Sequence, residues 1–222
     1  MLTFKAIIKG AALVALSVLV AGCASNSAGI NPFANPIPQA VNVTAGDTHI
    51  VVAAPPGFCV DRATIEENPG GVFMFLSDCH VPEGGTGART PITAILTATI
   101  SPTGLPGVEA GLKPALTSLS QFLESPVGLF SMGKSQVEGA VSILEAKQSE
   151  RALYLLIEDT AFNDNAGASN RFWRAFTEIR GRLVALSVTG YARNDTDEAR
   201  ALRIIRAFMQ VTIDANAIVA VN

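Results

Sequence analysis

Histidine, cysteine and tyrosine are scarce in this 222-residue chain, which holds two, three and two of them and a single tryptophan. The two imidazoles, His49 and His80, leave little room for histidine-based acid–base chemistry, and neither lies in an H-E-x-x-H zinc motif. There is no G-x-S-x-G nucleophile elbow and no C-x-x-C pair to open a zinc site. A basic surface is missing too. Sixteen Lys and Arg stand against nineteen Asp and Glu, a balance that speaks against a nucleic-acid or anionic-lipid interface. The longest apolar run, residues 11–20, is broken by Ser17. At roughly 10 to 12 residues it is too short to cross a bilayer, which needs about 20.

Lys5 and Lys9 precede that run and no acidic residue occurs before Asp47, so residues 1–22 read as a cleaved signal peptide. The run ends in Val20-Ala21-Gly22-Cys23, which resembles the lipobox of bacterial lipoproteins. That resemblance implies cleavage between Gly22 and Cys23, lipid on the cysteine sulfur, and acylation of the new amino terminus. The competing reading is ordinary secretion with cleavage near Ala24. Ala24 after the cysteine is similar to lipoproteins sorted to an outer membrane. The lipid would then be the only membrane anchor.

Removal of Lys5 and Lys9 leaves 14 basic residues against 19 acidic ones, a net charge near −5. Residues 23–40 are small, polar and proline-rich, the composition of a flexible tether. Residues 41–222 suffice for a single α+β domain. The arginines of 171–182 and 193–206 alternate with acids and apolar residues and read as solvated faces. Once Cys23 is lipidated, Cys59 and Cys79 remain, and an even pair in an oxidising compartment reads as a disulfide. A metal site of Cys59, Cys79 and His80 is the rival. Adjacent Cys79 and His80 would struggle to face one ion, and a fourth ligand is missing.

Alternating residues predict a strand pair at 41–44 and 49–53, strands at 72–77 and 92–100, and a four-strand meander near 140–148, 152–160, 171–179 and 182–191. Asp61 is a candidate cap for a helical turn running to Glu67. Leu112, Ala115, Leu116, Leu119, Phe122 and Leu123 recur at helical spacing, and Ser125-Pro126 stops that helix and offers a start for a second. The last helix opens at Asp195-Thr196-Asp197-Glu198 as a capping box, with a stripe of Ala199, Leu202, Ile205, Phe208 and Met209. After Asp214 a short, loosely apolar tail packed along the domain edge is expected. Both faces of strand 183–191 are apolar or small, which calls for helices on both sides of the sheet. The expectation is an α+β fold, an α/β/α sandwich on a mainly antiparallel sheet with a long C-terminal helix. Its element order and the Pro-Pro-Gly-Phe opening (Pro55 to Phe58) resemble the extrinsic oxygen-evolving subunit of photosystem II, a likeness of fold that carries no functional residue. The two later cysteines, one after the first strand pair and one after the next strand, also resemble small lipoproteins of Gram-negative bacteria.

One string carries chemistry. Residues 128–135, Gly-Leu-Phe-Ser-Met-Gly-Lys-Ser, match the G-x-x-x-x-G-K-[ST] phosphate-binding loop, and Tyr154 to Asp159 resembles the apolar strand whose acid helps to hold magnesium. Context argues against a nucleotide site. Gly128 follows a helix where a buried strand is required, and Val137, Ala140, Val141 and Leu144 fit a helix and a strand equally. An exported domain also meets no ATP. The string is therefore expected to be a turn, with Lys134 on the surface. Glu158 and Asp159 should face opposite sides of their strand and form no acid/base pair. Phe172, Trp173 and Phe176 read as core, and His49 as structural. The favoured expectation is a non-enzymatic, membrane-anchored envelope domain that binds a protein or assists an assembly, without a cofactor or metal. The alternative is a carrier of a small apolar or lipid ligand, and third comes an enzyme or nucleotide-binding protein.

Overall fold

Alternation along the chain sets up the first hairpin. Strands β1 (Ala40–Ala45) and β2 (Thr48–Ala53) pair antiparallel and bury Val41, Val43, Ala45, Ile50 and Val52 on one side. These elements belong to a computed structural model that describes residues 39–79, 94–162, 167–191 and 197–218. Cys23, His80 and Asp195, with the expectations placed on them, lie outside the described residues. Pro36–Asn222 forms one compact unit.

Eight strands build the main sheet. They are β3 (Phe58–Val60), β4 (Glu66–Asn68), β5 (Gly71–Asp78), β6 (Ala94–Ile100), β7 (Val141–Gln148), β8 (Leu153–Asp159), β9 (Ala168–Ile179) and β10 (Arg182–Tyr191). Their order is β3-β5-β6-β10-β9-β8-β7, with β4 also beside β5, and every pairing is antiparallel. Helices α1 (Leu112–Leu123) and α2 (Pro126–Met132) lie on one face, and α3 (Glu198–Ile218) with the β1–β2 hairpin on the other. The fold is α+β, a mainly antiparallel sheet between helical layers.

Period two explains how one sheet feeds two cores. On β9, Trp173, Ala175 and Ile179 turn toward Ile205, Phe208, Met209 and Ile213 of α3, while Phe172 and Phe176 turn toward Leu116, Leu123 and Met132 of α1 and α2. Each large side chain buried this way contributes about 1.5–3 kcal/mol. Ser125 caps α2 by accepting from the Gly128 amide, with Pro126 in the first turn.

Several expectations need correction. Asp61 caps only a short 3-10 turn, Arg62–Thr64, because Glu66–Asn68 leaves it to pair with β5. Asp197 caps α3 among the described residues, accepting from the Arg200 amide. Ala199 is exposed and Ala201 and Ile213 complete the stripe. Beyond Asp214 the chain packs on the domain, but as helix and not as a tail. It stays helical to Ile218, and the buried Asn216 side chain bonds both backbone groups of Val51 (2.9 and 2.7 Å) on β2. Phe122 is 52% exposed, off the buried stripe of α1.

Candidate functional site

The phosphate-loop string occupies a place no nucleotide loop takes. Gly128 lies inside α2, and Gly133 ends that helix. A Cβ on Gly128 would stand 2.2 Å from the Phe122 carbonyl oxygen, and one on Gly133 would stand 2.7 Å from Val141 Cγ2. Both glycines are thus explained by close packing of α2 against α1 and β7. The segment after Ser135 leads into β7, so the ambiguous 141–148 stretch is strand.

The loop nevertheless cradles an anion, and the anion is Asp159. The Lys134 and Ser135 amides each donate to Asp159 Oδ2 at 2.8 Å, and the Ser135 hydroxyl donates to Oδ1 at 2.7 Å. The Ala161 amide adds a longer bond to Oδ1. Asp159 is wholly buried. Burial pushes its carboxyl up, but the bonds from Ser135, Lys134 and Ala161 outweigh that and hold it below the usual value. Successive backbone amides converging on a carboxylate form the same kind of nest that elsewhere binds phosphate.

Lys134 is half-buried and not simply a solvated charge. Its Nζ donates to Thr189 Oγ1 at 2.6 Å and sits 4.2 Å from the Phe172 ring centroid and 5.1 Å from that of Phe162. Beside it, Arg174 sends Nε to Ser187 Oγ (3.0 Å) and Nη1 to the Met132 carbonyl oxygen (3.5 Å). Burial pushes the pKa of its guanidinium down. Sequence reasoning missed Arg174 by grouping it with solvated arginines. Its position between Phe172 and Phe176, two residues from each, was the signal that it faces the core.

The other candidates stand apart. His49 is exposed on β2, its Nδ1 3.2 Å from Thr44 Oγ1 across the hairpin. Glu158 faces away from Asp159 and pairs with Arg171 (2.8 Å), which also reaches Glu198 at the start of α3 (3.1 Å). These two carboxylates push the Arg171 guanidinium higher. Trp173 is buried and donates Nε1–H to the Glu198 carbonyl oxygen. Cys59 and Cys79 are joined as a disulfide that ties β3 to the end of β5. Among the described residues no helix is long and apolar enough to cross a membrane, and no His, Cys, Asp and Glu gather as a metal site. No protein-family model matches the chain, and no curated protein matches it.

Proposed function

We propose that this chain is an envelope lipoprotein, held at a membrane through lipid on Cys23, whose domain docks a protein partner without catalysing a reaction. The observation that carries the docking reading is a concentration of exposed apolar side chains. Among the described residues, Phe122 (52% exposed), Val127 (69%), Phe130 (40%), Val137 (48%) and Leu144 (44%) lie within one stretch, spanning the end of α1, α2 and the edge strand β7. Exposed large apolar groups that lie together mark interaction surfaces, and two of the five do so here. Val127 and Phe130 line a shallow depression with Pro126 and Glu138, an apolar floor with a charged rim.

The edge strand itself is blunted. A bulge between Ile143 and Glu145 leaves Leu144 without a partner on β8, and Glu145 and Lys147 form an ion pair along the strand. Bulges and charges discourage strand addition, so the partner would meet side chains of α2 and β7. The address rests on the Val20 to Cys23 lipobox, with an outer membrane favoured by Ala24. The saturation of Asp159 supports a non-enzymatic role, since a carboxylate already bonded by two amides and a hydroxyl is poorly placed to move protons.

A photo-crosslinking residue at Val127 or Phe130, activated in intact cells, tests this reading. A discrete adduct from both positions, absent from the exposed control Glu109 and lost on Phe130→Asp, is expected. Adducts that are equal at Glu109, or none at all, would defeat it.

A further inference from the structure

The depression beside α2 has a charge as well as an apolar floor. Pro126, Val127, Phe130 and Glu138 enclose a space of about 240 Å³. An apolar cavity of about 150 Å³ already takes a benzene-sized group, so one bulky side chain fits here with room to spare. Val127 and Phe130 stand three apart on α2 and are neighbours on one helix face.

From the end of α1 through β7 and its turn, residues 124–150, four glutamates stand against two lysines. Two of the glutamates are paired, Glu145 with Lys147 and Glu150 with Lys113 of α1. Lys134 turns inward to Thr189 and the Phe172 ring. Glu124 and Glu138 are left, both exposed and, among the described residues, without a cation beside them. Glu138 lines the depression itself, and Glu124 precedes Pro126 by two residues. The charge around this apolar floor is therefore negative and unanswered from within the domain.

Charge sorts the possible occupants. A second copy related by a two-fold axis would set the patch against itself, bringing Glu124 and Glu138 up to like charges. An anionic bilayer surface would be repelled in the same way. Only a cationic partner gains from both carboxylates. Its shape follows from β7, whose bulge and ion pair oppose an added strand. A helix brings its backbone already hydrogen-bonded and offers side chains alone. We infer that the depression seats a basic amphipathic helix of another protein. One bulky apolar side chain of that helix lies between Val127 and Phe130, and a Lys or Arg about three or four residues away, on the same face, meets Glu138. The inference rests on the docking reading above and adds the charge and secondary structure of the partner.

A benzophenone side chain at Val127 of the full chain, activated in intact cells, is the probe, and the adduct is digested and sequenced by mass spectrometry. The attached segment should come from another protein, be helical by circular dichroism when synthesised as a peptide in trifluoroethanol, and carry Lys or Arg about three or four residues from the attachment point. Glu138 is exposed, so its variants should match the parent in circular dichroism. Adduct yield should fall about five-fold or more in Glu138→Lys and stay within about two-fold of the parent in Glu138→Asp, which keeps the charge. An adduct on an acidic or uncharged segment, on a second copy of this chain or on lipid would overturn the inference. A yield unchanged in Glu138→Lys would do the same while leaving protein docking in place. No adduct at all in the parent would remove the docking reading and this inference with it.

Discussion

Ser135 meets Asp159 twice: its amide donates to one carboxylate oxygen and its hydroxyl to the other, at 2.8 and 2.7 Å. These two bonds give the phosphate-loop string a structural role within the domain. A nest of backbone amides needs an anion, and β8, the second element after α2, can supply one as well as a ligand can. The two strings that resemble halves of a nucleotide site do come together, with the acid of one filling the cradle of the other.

Asp159→Asn should therefore cost stability. An amide keeps one accepting oxygen and puts a donor in place of the other, and buried donors left without partners cost about 1–3 kcal/mol each. A loss on the order of 3 kcal/mol, read from urea unfolding, is expected. The native pKa of Asp159 is depressed, so its contribution is complete above the unfolded value of about 3.9 and fades as pH falls through the lower native value. The difference in stability between parent and variant should be constant near neutrality and shrink below about pH 4. A difference that stays flat down to pH 2 would contradict this.

Asn216 offers a second test. Its side-chain amide bonds the N–H and C=O of Val51 as a neighbouring strand would, and Thr212 does the same less closely for Ala53. Asn216→Leu should destabilise by about 2–4 kcal/mol, and Thr212→Val by about 1 kcal/mol. Hydrogen exchange at the Val51 amide should accelerate strongly in the first variant and little in the second. Equal, small effects would mean that α3 holds β2 by apolar packing alone.

The meander was legible because β8, β9 and β10 alternate strongly and their turns are marked: Arg180 and Gly181 both take positive φ in the tight link between β9 and β10. Strands β3 and β4 were not, since three residues show no period and both exist by pairing with β5. The end of α3 was hidden for a related reason. A polar Asn216 reads as the close of an apolar stripe, yet it is buried because its partner is backbone from the opposite end of the domain. Lys134 was misplaced because Phe172 and Thr189, which enclose it, lie on strands far along the chain. The disulfide was readable from cysteine count and the presumed compartment, without any geometry.

Reduction of Cys59–Cys79 should lower the melting temperature by roughly 6–12 °C. Closing a loop of about 20 residues contributes on the order of 3 kcal/mol in the chain-entropy account, and each kcal/mol shifts a domain of this size by about 2–4 °C. Cys59→Ser with Cys79→Ser should reproduce the shift and make it insensitive to reductant. A double variant as stable as the oxidised parent would refute the bond's role.

The anchor can be tested apart from the domain. Labelled palmitate should enter the parent chain and be absent from Cys23→Ser, which should move from the membrane to the soluble fraction. Acyl chains supply about 0.8 kcal/mol per buried CH₂, and the domain offers no membrane-crossing helix among its described residues to replace them. Parent protein without label would remove the lipoprotein reading and leave ordinary export in its place.

Lys134→Ala separates the two meanings of the phosphate-loop string. On a solvated lysine the change would alter stability by no more than about 0.5 kcal/mol. Here Nζ is bonded to Thr189 and lies over Phe172, so about 1–2 kcal/mol should be lost. If the segment served nucleotide, the same lysine would contact the β- and γ-phosphates and Ser135 the magnesium. Both tasks are blocked while the Lys134 and Ser135 amides and the Ser135 hydroxyl are committed to Asp159. Magnesium and ATP titrated into parent and variant should therefore give flat calorimetric traces, alongside the measured loss of stability. A saturable signal in the parent that vanishes in Lys134→Ala would show that Asp159 yields its place to phosphate, and would return the domain to the nucleotide-binding class.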